Sequence, residues 1–278
     1  MKKKPNTAEV ELTDDQAIDA IHTISHTTRQ PLVYQKIGRY GIVNPKVKSW
    51  LSIFEKLGRK TRTREDEVTH TETVQILNRY NKQEDKLFDL LRDWSRFTII
   101  IPDYDAAPAL IANFLAEFGG DIEIHSRPDY FAIHWHGKYK GVNVEVQFHT
   151  EKFAELKLAT DAFYHLYKDV VIEKNSKIED EYNRKHNNIT QYCQIVYKNS
   201  NFLKNIIKVN EVVNVYKSRQ KNSNNESEKL SHFVMYAKRA EMVQKELSEY
   251  LPQFLIKLDQ MEKTKLVHNN QQSQEYSI

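Results

Sequence analysis

The sequence predicts an α+β fold, and three observations carry the prediction. The stretch "VNVEVQFHT", from Val142 to Thr150, alternates without interruption. Val142, Val144, Val146 and Phe148 fall on one side and Asn143, Glu145, Gln147 and His149 on the other, the period of a strand with two unlike faces. A second alternating run, "YFAIHWHG", precedes it across "GKYKG", which reads as a hairpin. Helix-period segments stand before and after this cluster, and that order gives an α+β domain over about residues 13–172.

The elements follow in chain order. Residues 1–12 read as a flexible arm. "LTDDQAIDAIHTIS" opens a helix at Thr13 or Asp14 as N-cap, with apolar spacing at Ala17, Ile18, Ile21 and Ile24. "NPKVKSWLSIFEKLGRK" reads as a second helix, with Pro45 near its first turn and Gly58 near its end. "THTETVQILNRYNKQEDKLFDLLRD" reads as helix, broken near Asn81. The pattern then changes: "RFTIIIP" is a short apolar run stopped by Pro102, a central strand. "DAAPALIANFLAEFGG" is a helix closed by Gly119 and Gly120, and "DIEIHS" a short strand. After the hairpin, "EKFAELKLATDAFYHLYKDV" is a long helix. Residues 173–264 read as a helical C-terminal region, with "SRQKNSNNESEK" as a loop within it, and residues 265–278 as a disordered tail.

Composition excludes several function classes. The formal net charge of +3 is too mild to mark a nucleic-acid-binding chain by itself. The single cysteine, Cys193, has no partner for an intramolecular disulfide and no metal-site spacing, so a cytoplasmic location is expected. The basic N-terminus is not followed by the apolar run of a signal peptide. No window approaches the roughly 18 consecutive apolar residues of a membrane span, so no membrane partner is expected. With 7 glycines and neither GxxxxGK[ST] nor GxGxxG, P-loop and Rossmann nucleotide binding are unsupported.

Three groups of residues carry candidate chemistry. In the segment read as a helix over residues 46–60, Val47, Trp50, Leu51, Phe54 and Leu57 form a core-facing stripe. Lys48, Ser52 and Lys56 recur every four residues on another face, extended by Lys46, Arg59 and Lys60. Such a face is either solvated or a phosphate-binding edge. In "DLLRDWSRFTIII", Asp93 stands just before the apolar strand and Arg96 near its start, a place for a metal ligand or for a loop-capping carboxylate. On the hairpin, Tyr130, Ala132, His134 and His136 share one face, and Asn143, Glu145, Gln147 and His149 share the facing one. Burying that face unpaired is expensive. Three uses compete for it: zinc held by His134, His136 and His149; cross-strand hydrogen bonding on a solvated face; and a magnesium–nucleotide site with Glu145 and Asp93 as oxygen ligands.

Taken in order, these pieces resemble the RelA/SpoT synthetase domain, the pyrophosphokinases that make alarmone nucleotides. The family's ATP-binding pattern is similar to Lys46-Val-Lys48-Ser-Trp-Leu-Ser52-Ile53-Phe-Glu-Lys56. Its metal-binding Asp before a strand is matched by Asp93 and Arg96 in "DWSRFTIII". Its Gly-Tyr-x-Ser-x-His acceptor loop resembles "DYFAIH", with Tyr130 and His134. Its Glu-x-Gln-x-Arg-Thr strand resembles "EVQFHT", with Glu145 and Gln147, and the helix that follows resembles "FAELKLATDAFYHLYK". The likeness covers about residues 40–170. It departs from the family at Asp129 and Ala132, which replace the Gly and Ser of the acceptor loop, at His149, which replaces the Arg of the last motif, and at Lys46, where Arg is usual. No "HD" dipeptide of the family's hydrolase half occurs.

The resemblance implies a mixed, largely antiparallel sheet of the nucleotidyltransferase-like kind and a stand-alone synthetase. ATP would lie along Lys46, Lys48, Ser52, Lys56, Arg59 and Arg96. Asp93 and Glu145 would hold Mg2+, with Gln147 beside them, and Tyr130, His134 and His149 would receive the acceptor. That acceptor is a guanine or adenine nucleotide or, as in some toxins of this kind, the 3′ end of tRNA. A nucleotide-binding module without turnover is a further alternative. The C-terminal helices would serve an antitoxin or self-association.

Overall fold

The computed structural model of the chain describes residues 12–48, 91–167, 176–220 and 233–275. Twelve elements occur in these stretches: α1 (Asp14–Ile24), β1 (Tyr34–Ile37), β2 (Tyr40–Val47), β3 (Ser95–Ile100), α2 (Ala107–Phe118), β4 (Asp121–Arg127), β5 (Tyr130–Tyr139), β6 (Val142–His149), α3 (Glu151–Tyr167), α4 (Ser176–Lys198), α5 (Phe202–Gln220) and α6 (Phe233–Glu275). The fold is α+β, and its sheet has the order β1-β2-β3-β6-β5-β4. β1/β2, β2/β3 and β5/β6 pair antiparallel, and β3/β6 pair parallel, so the sheet is mixed.

By internal contacts the chain divides into two interleaved units. One takes the residues up to Leu32, Ser126–Phe131 and Glu151–Leu203. The other takes Val33–His125, Ala132–Thr150 and the chain from Lys204 onward. The first unit is helical. α1 opens on a capping box: the Thr13 hydroxyl accepts from the Gln16 amide, and the Gln16 side chain accepts from the Thr13 amide. Ala17, Ile18 and Ile21 then pack on α3 and α4. Phe131 stacks on Tyr197 and Phe202, with ring centroids 4.2 and 5.1 Å away.

The second unit holds most of the sheet. The apolar side chains that alternation assigns to one side of β5 and β6 form its core. Trp135 and Phe148 meet Phe114 of α2 edge-on, and Phe254 of α6 closes on Phe114 and Phe118. α6 packs along β1, β2, β3 and β6. β6 has strands on both sides, and all eight of its residues are buried, the polar ones included. The solvated polar face considered for the hairpin is therefore not what forms.

Several sequence expectations need correction. The helix expected to start near Pro45 does not include residues 45–47: β2 runs through Val47, and the Lys48 amide continues the ladder with a bond to the Trp94 carbonyl (3.0 Å). Pro45 misled the reading because it lies in a strand, where the β2/β3 register slips between Val43 and Lys46. A bulge is where a strand tolerates a residue with no amide hydrogen. The rest of that segment, with Ser52, Lys56 and Arg59, and residues 69–90 of the helix expected over "THTETVQILNRYNKQEDKLFDLLRD" lie outside the described residues, and residues 91–93, expected at its end, are not helical. The hairpin loop is also shorter than "GKYKG": the strands continue to Tyr139 and resume at Val142. Lys140 and Gly141 turn the chain with φ of 49° and 79°, as a two-residue hairpin with two positive φ angles requires. Finally, α6 continues to Glu275, into the stretch read as a tail, because an established helix adds each further residue cheaply.

Candidate functional site

Strand register assembles the site. Lys46 of β2 pairs with Arg96 of β3, Arg96 with Glu145 of β6, and Glu145 with His136 of β5. These four positions form one row across four adjacent strands. One step along, Thr98, Gln147 and His134 form a second row. Residues paired in register share a face, so both rows lie on the polar side of the sheet.

Glu145 is the centre of this face and is 8% exposed. Its Oε1 accepts a 2.6 Å hydrogen bond from the Gln147 amide. Its Oε2 lies 3.8 Å from His134 Nδ1 and 4.0 Å from His136 Nδ1. His136 Nε2 faces the other way, 3.3 Å from Glu123 Oε2 on β4, and the same carboxylate group reaches His125 at 3.5 Å. The His125 and His134 rings meet edge-on at 4.4 Å. Burial holds the His136 pKa below the usual imidazole value; the charges of Glu145, Glu123 and Asp93 oppose this without overcoming it. A cleft of about 460 Å³ opens beside His136, with Arg92, Asp121, Lys138 and Asn143 on its walls.

The other expected site residues fall around this centre or apart from it. Asp93, 3% exposed, is paired with Lys48 at 2.7 Å just before β3. Arg96 stands half-buried in the first row. Lys46 occupies its register position in that row. His149 is buried at the end of β6, level with Ile100, and is not part of the group converging on Glu145. Tyr130 opens β5 but belongs to the helical unit, where the Arg127 guanidinium covers its ring at 5.4 Å. The neighbouring Asp129 faces His186 at 3.5 Å, and the Pro128 carbonyl accepts from Gln194. Glu123 and His125 were not anticipated, although "DIEIH" alternates and so puts both on one face of β4.

Among the described residues, one set of His, Cys, Asp and Glu side chains converges closely enough for a metal ion. It is His134, His136 and Glu145, whose ligand atoms all lie within 4.8 Å of one another. Magnesium prefers oxygen donors in near-octahedral array. Two imidazoles around one carboxylate do not fit that preference, and Asp93 has its carboxylate on Lys48. No helix in the described residues is long and apolar enough to cross a membrane. Comparisons with protein-family models, with curated proteins and with solved structures find no match to this chain.

Proposed function

We propose that the chain is a pyrophosphotransferase of the RelA/SpoT synthetase kind, which moves the β,γ-pyrophosphate of ATP to a nucleotide 3′-hydroxyl and releases AMP. The observation that supports this best is the row Lys46–Arg96–Glu145–His136 in register across four strands. It sets the half-buried Arg96, in register with Lys46, beside a withdrawn carboxylate, with a third cation, Lys48, just past the end of β2. Pyrophosphoryl transfer needs that pairing: cations for the phosphate charge and an acceptor for the hydroxyl proton.

In this reading ATP enters as its magnesium complex, with its phosphates against Arg96 and Lys48. The acceptor oxygen attacks the β-phosphorus. A bond forms between them, the bond from the β-phosphorus to the α,β-bridging oxygen breaks, and AMP leaves with that oxygen. Glu145 takes the hydroxyl proton, and Gln147, bonded to Oε1, fixes the carboxylate for it. Arg92 and Lys138 give the adjoining cleft a charge suited to a phosphorylated acceptor.

The test is release of labelled AMP from labelled ATP with magnesium and, in separate reactions, GTP, GDP, ATP or tRNA as acceptor. One acceptor should support turnover, and Glu145→Gln should lower the rate about 100-fold or more, the scale of a general base. No AMP with any acceptor, or full activity in Glu145→Gln, refutes the reading. Transfer to tRNA alone makes the substrate RNA rather than a free nucleotide.

A further inference from the structure

We infer that His134, His136 and Glu145 form a binding site for a divalent ion of the zinc class. The inference rests on the placement of three side chains and not on the transferase reading, with which it competes for Glu145: a carboxylate that holds the ion does not serve as the base. His134 and His136 alternate on β5 and so project from one face, and Glu145 stands opposite His136 on the next strand. The sheet thus fixes two imidazoles and a carboxylate without a loop, the rigid support that a metal site needs.

The distances suit one small ion. Two donors bound at about 2.0–2.1 Å to a tetrahedral ion lie about 3.3 Å apart, and cannot lie more than about 4.2 Å apart at any angle. The two pairs made by Glu145 Oε2 measure 3.8 and 4.0 Å. All three ligand atoms fall within 4.8 Å, so ring rotations that move atoms by less than about 1 Å bring every pair into range.

The surroundings fit as well. A histidine that binds metal through one nitrogen commonly turns the other toward a carboxylate. His136 does so: Nδ1 faces Glu145, and Nε2 faces Glu123 at 3.3 Å. A ligating carboxylate is in turn steadied by a hydrogen bond, and Gln147 supplies it to Glu145 Oε1, leaving Oε2 toward the imidazoles. Nitrogen-rich donors favour zinc, cobalt or nickel over magnesium. Three protein donors leave a fourth position open, and His136 also lines the cleft that holds Arg92 and Lys138. An anionic oxygen entering from the cleft would complete the shell.

The experiment uses the full, tag-free chain, stripped with a chelator and titrated with Co2+, reading the visible absorption that a low-symmetry cobalt site gives. The expected result is one ion per chain, displaced by Zn2+ but not by about a thousandfold excess of Mg2+. His136→Ala and Glu145→Gln should each weaken binding by about 100-fold or more, beyond the range for loss of an outer partner. His165→Ala, an exposed histidine on α3, should change nothing. Absence of saturable absorption, variant affinities within about threefold of wild type, or displacement by magnesium overturns the inference. Should a variant lose its folded circular dichroism spectrum, X-ray absorption on the zinc-loaded wild type decides: imidazole scattering supports the site, and an all-oxygen shell overturns it. Cobalt binding without AMP release would refute the transferase alone; AMP release without cobalt binding would refute this site alone.

Discussion

Lys48 and Asp93 are the two residues whose partnership depends most on backbone placement. The Lys48 ammonium stands 2.7 Å from a carboxylate that is almost fully buried. An ion pair so withdrawn stabilises little relative to apolar packing, but loss of one partner strands the other's charge. Lys48→Met should therefore cost on the order of 2–3 kcal/mol, and adding Asp93→Asn should recover part of it. Urea unfolding of the two single variants and the double variant checks this; additive costs would show that the pair is not coupled. Half of the site was legible at this scale. Glu145, Gln147 and His134 could be found because a strand's period of two fixes which side chains share a face. The Lys48–Asp93 pair could not, because it closes only when Lys48 lies beside Trp94 in the ladder. A four-residue spacing of Lys48, Ser52 and Lys56 pointed to a helix face instead. Glu123 was missed for a different reason: its partner His136 lies on the next strand, and no local pattern states which strands are neighbours.

Elements with a strong local pattern were read, and the two short or irregular strands before Trp50 were not. α1, α2 and α3 carry helical spacing, β5 and β6 alternate, and β3 stands out as a short apolar run stopped by Pro102. β1 and β2 went unread because "YQKI" is short and "YGIVNPKV" contains three residues that strands usually avoid. Their hairpin is held instead by tertiary contact. Gly38 turns it with φ of 56°, and a Cβ there would come within 2.5 Å of the Asp259 carboxyl carbon. Asp259 accepts from the Arg39 amide at 3.2 Å, and one turn further along α6 Glu262 accepts from the Arg39 guanidinium and the Tyr40 hydroxyl, each at 2.9 Å. Gly38→Ala should thus be destabilising by about 2 kcal/mol, partly from backbone strain and partly from displacing the carboxylate. In an Asp259→Ala background the steric part disappears, and the residual cost should fall to about 1 kcal/mol. An equal cost in both backgrounds would place the whole effect in the backbone.

At the scale of the whole molecule, the two units are interleaved along the chain. The chain passes from one to the other at residues 32/33, 125/126, 131/132, 150/151 and 203/204. The short segment Ser126–Phe131 lies between β4 and β5 residues assigned to the sheet unit, yet its Phe131 is stacked among the aromatic rings of the helical one. Unfolding the helices must therefore release the chain that joins two sheet strands, and loss of the sheet must free both ends of that segment. This interleaving predicts a single cooperative transition, unlike the independent melting of units joined end to end. Each unit carries its own probe. Cys193 is fully buried in the helical unit, and burial pushes its thiol up to about 12, so the native protein should resist a thiol reagent. Trp94 and Trp135 are buried in the sheet unit. In a Trp50→Phe background, urea titrations that follow tryptophan emission and Cys193 labelling by brief pulses should give the same midpoint and the same slope. Labelling of Cys193 at urea concentrations where the tryptophan emission is still native would mean that the helical unit opens alone, and that the five crossings do not bind the two units into one cooperative fold.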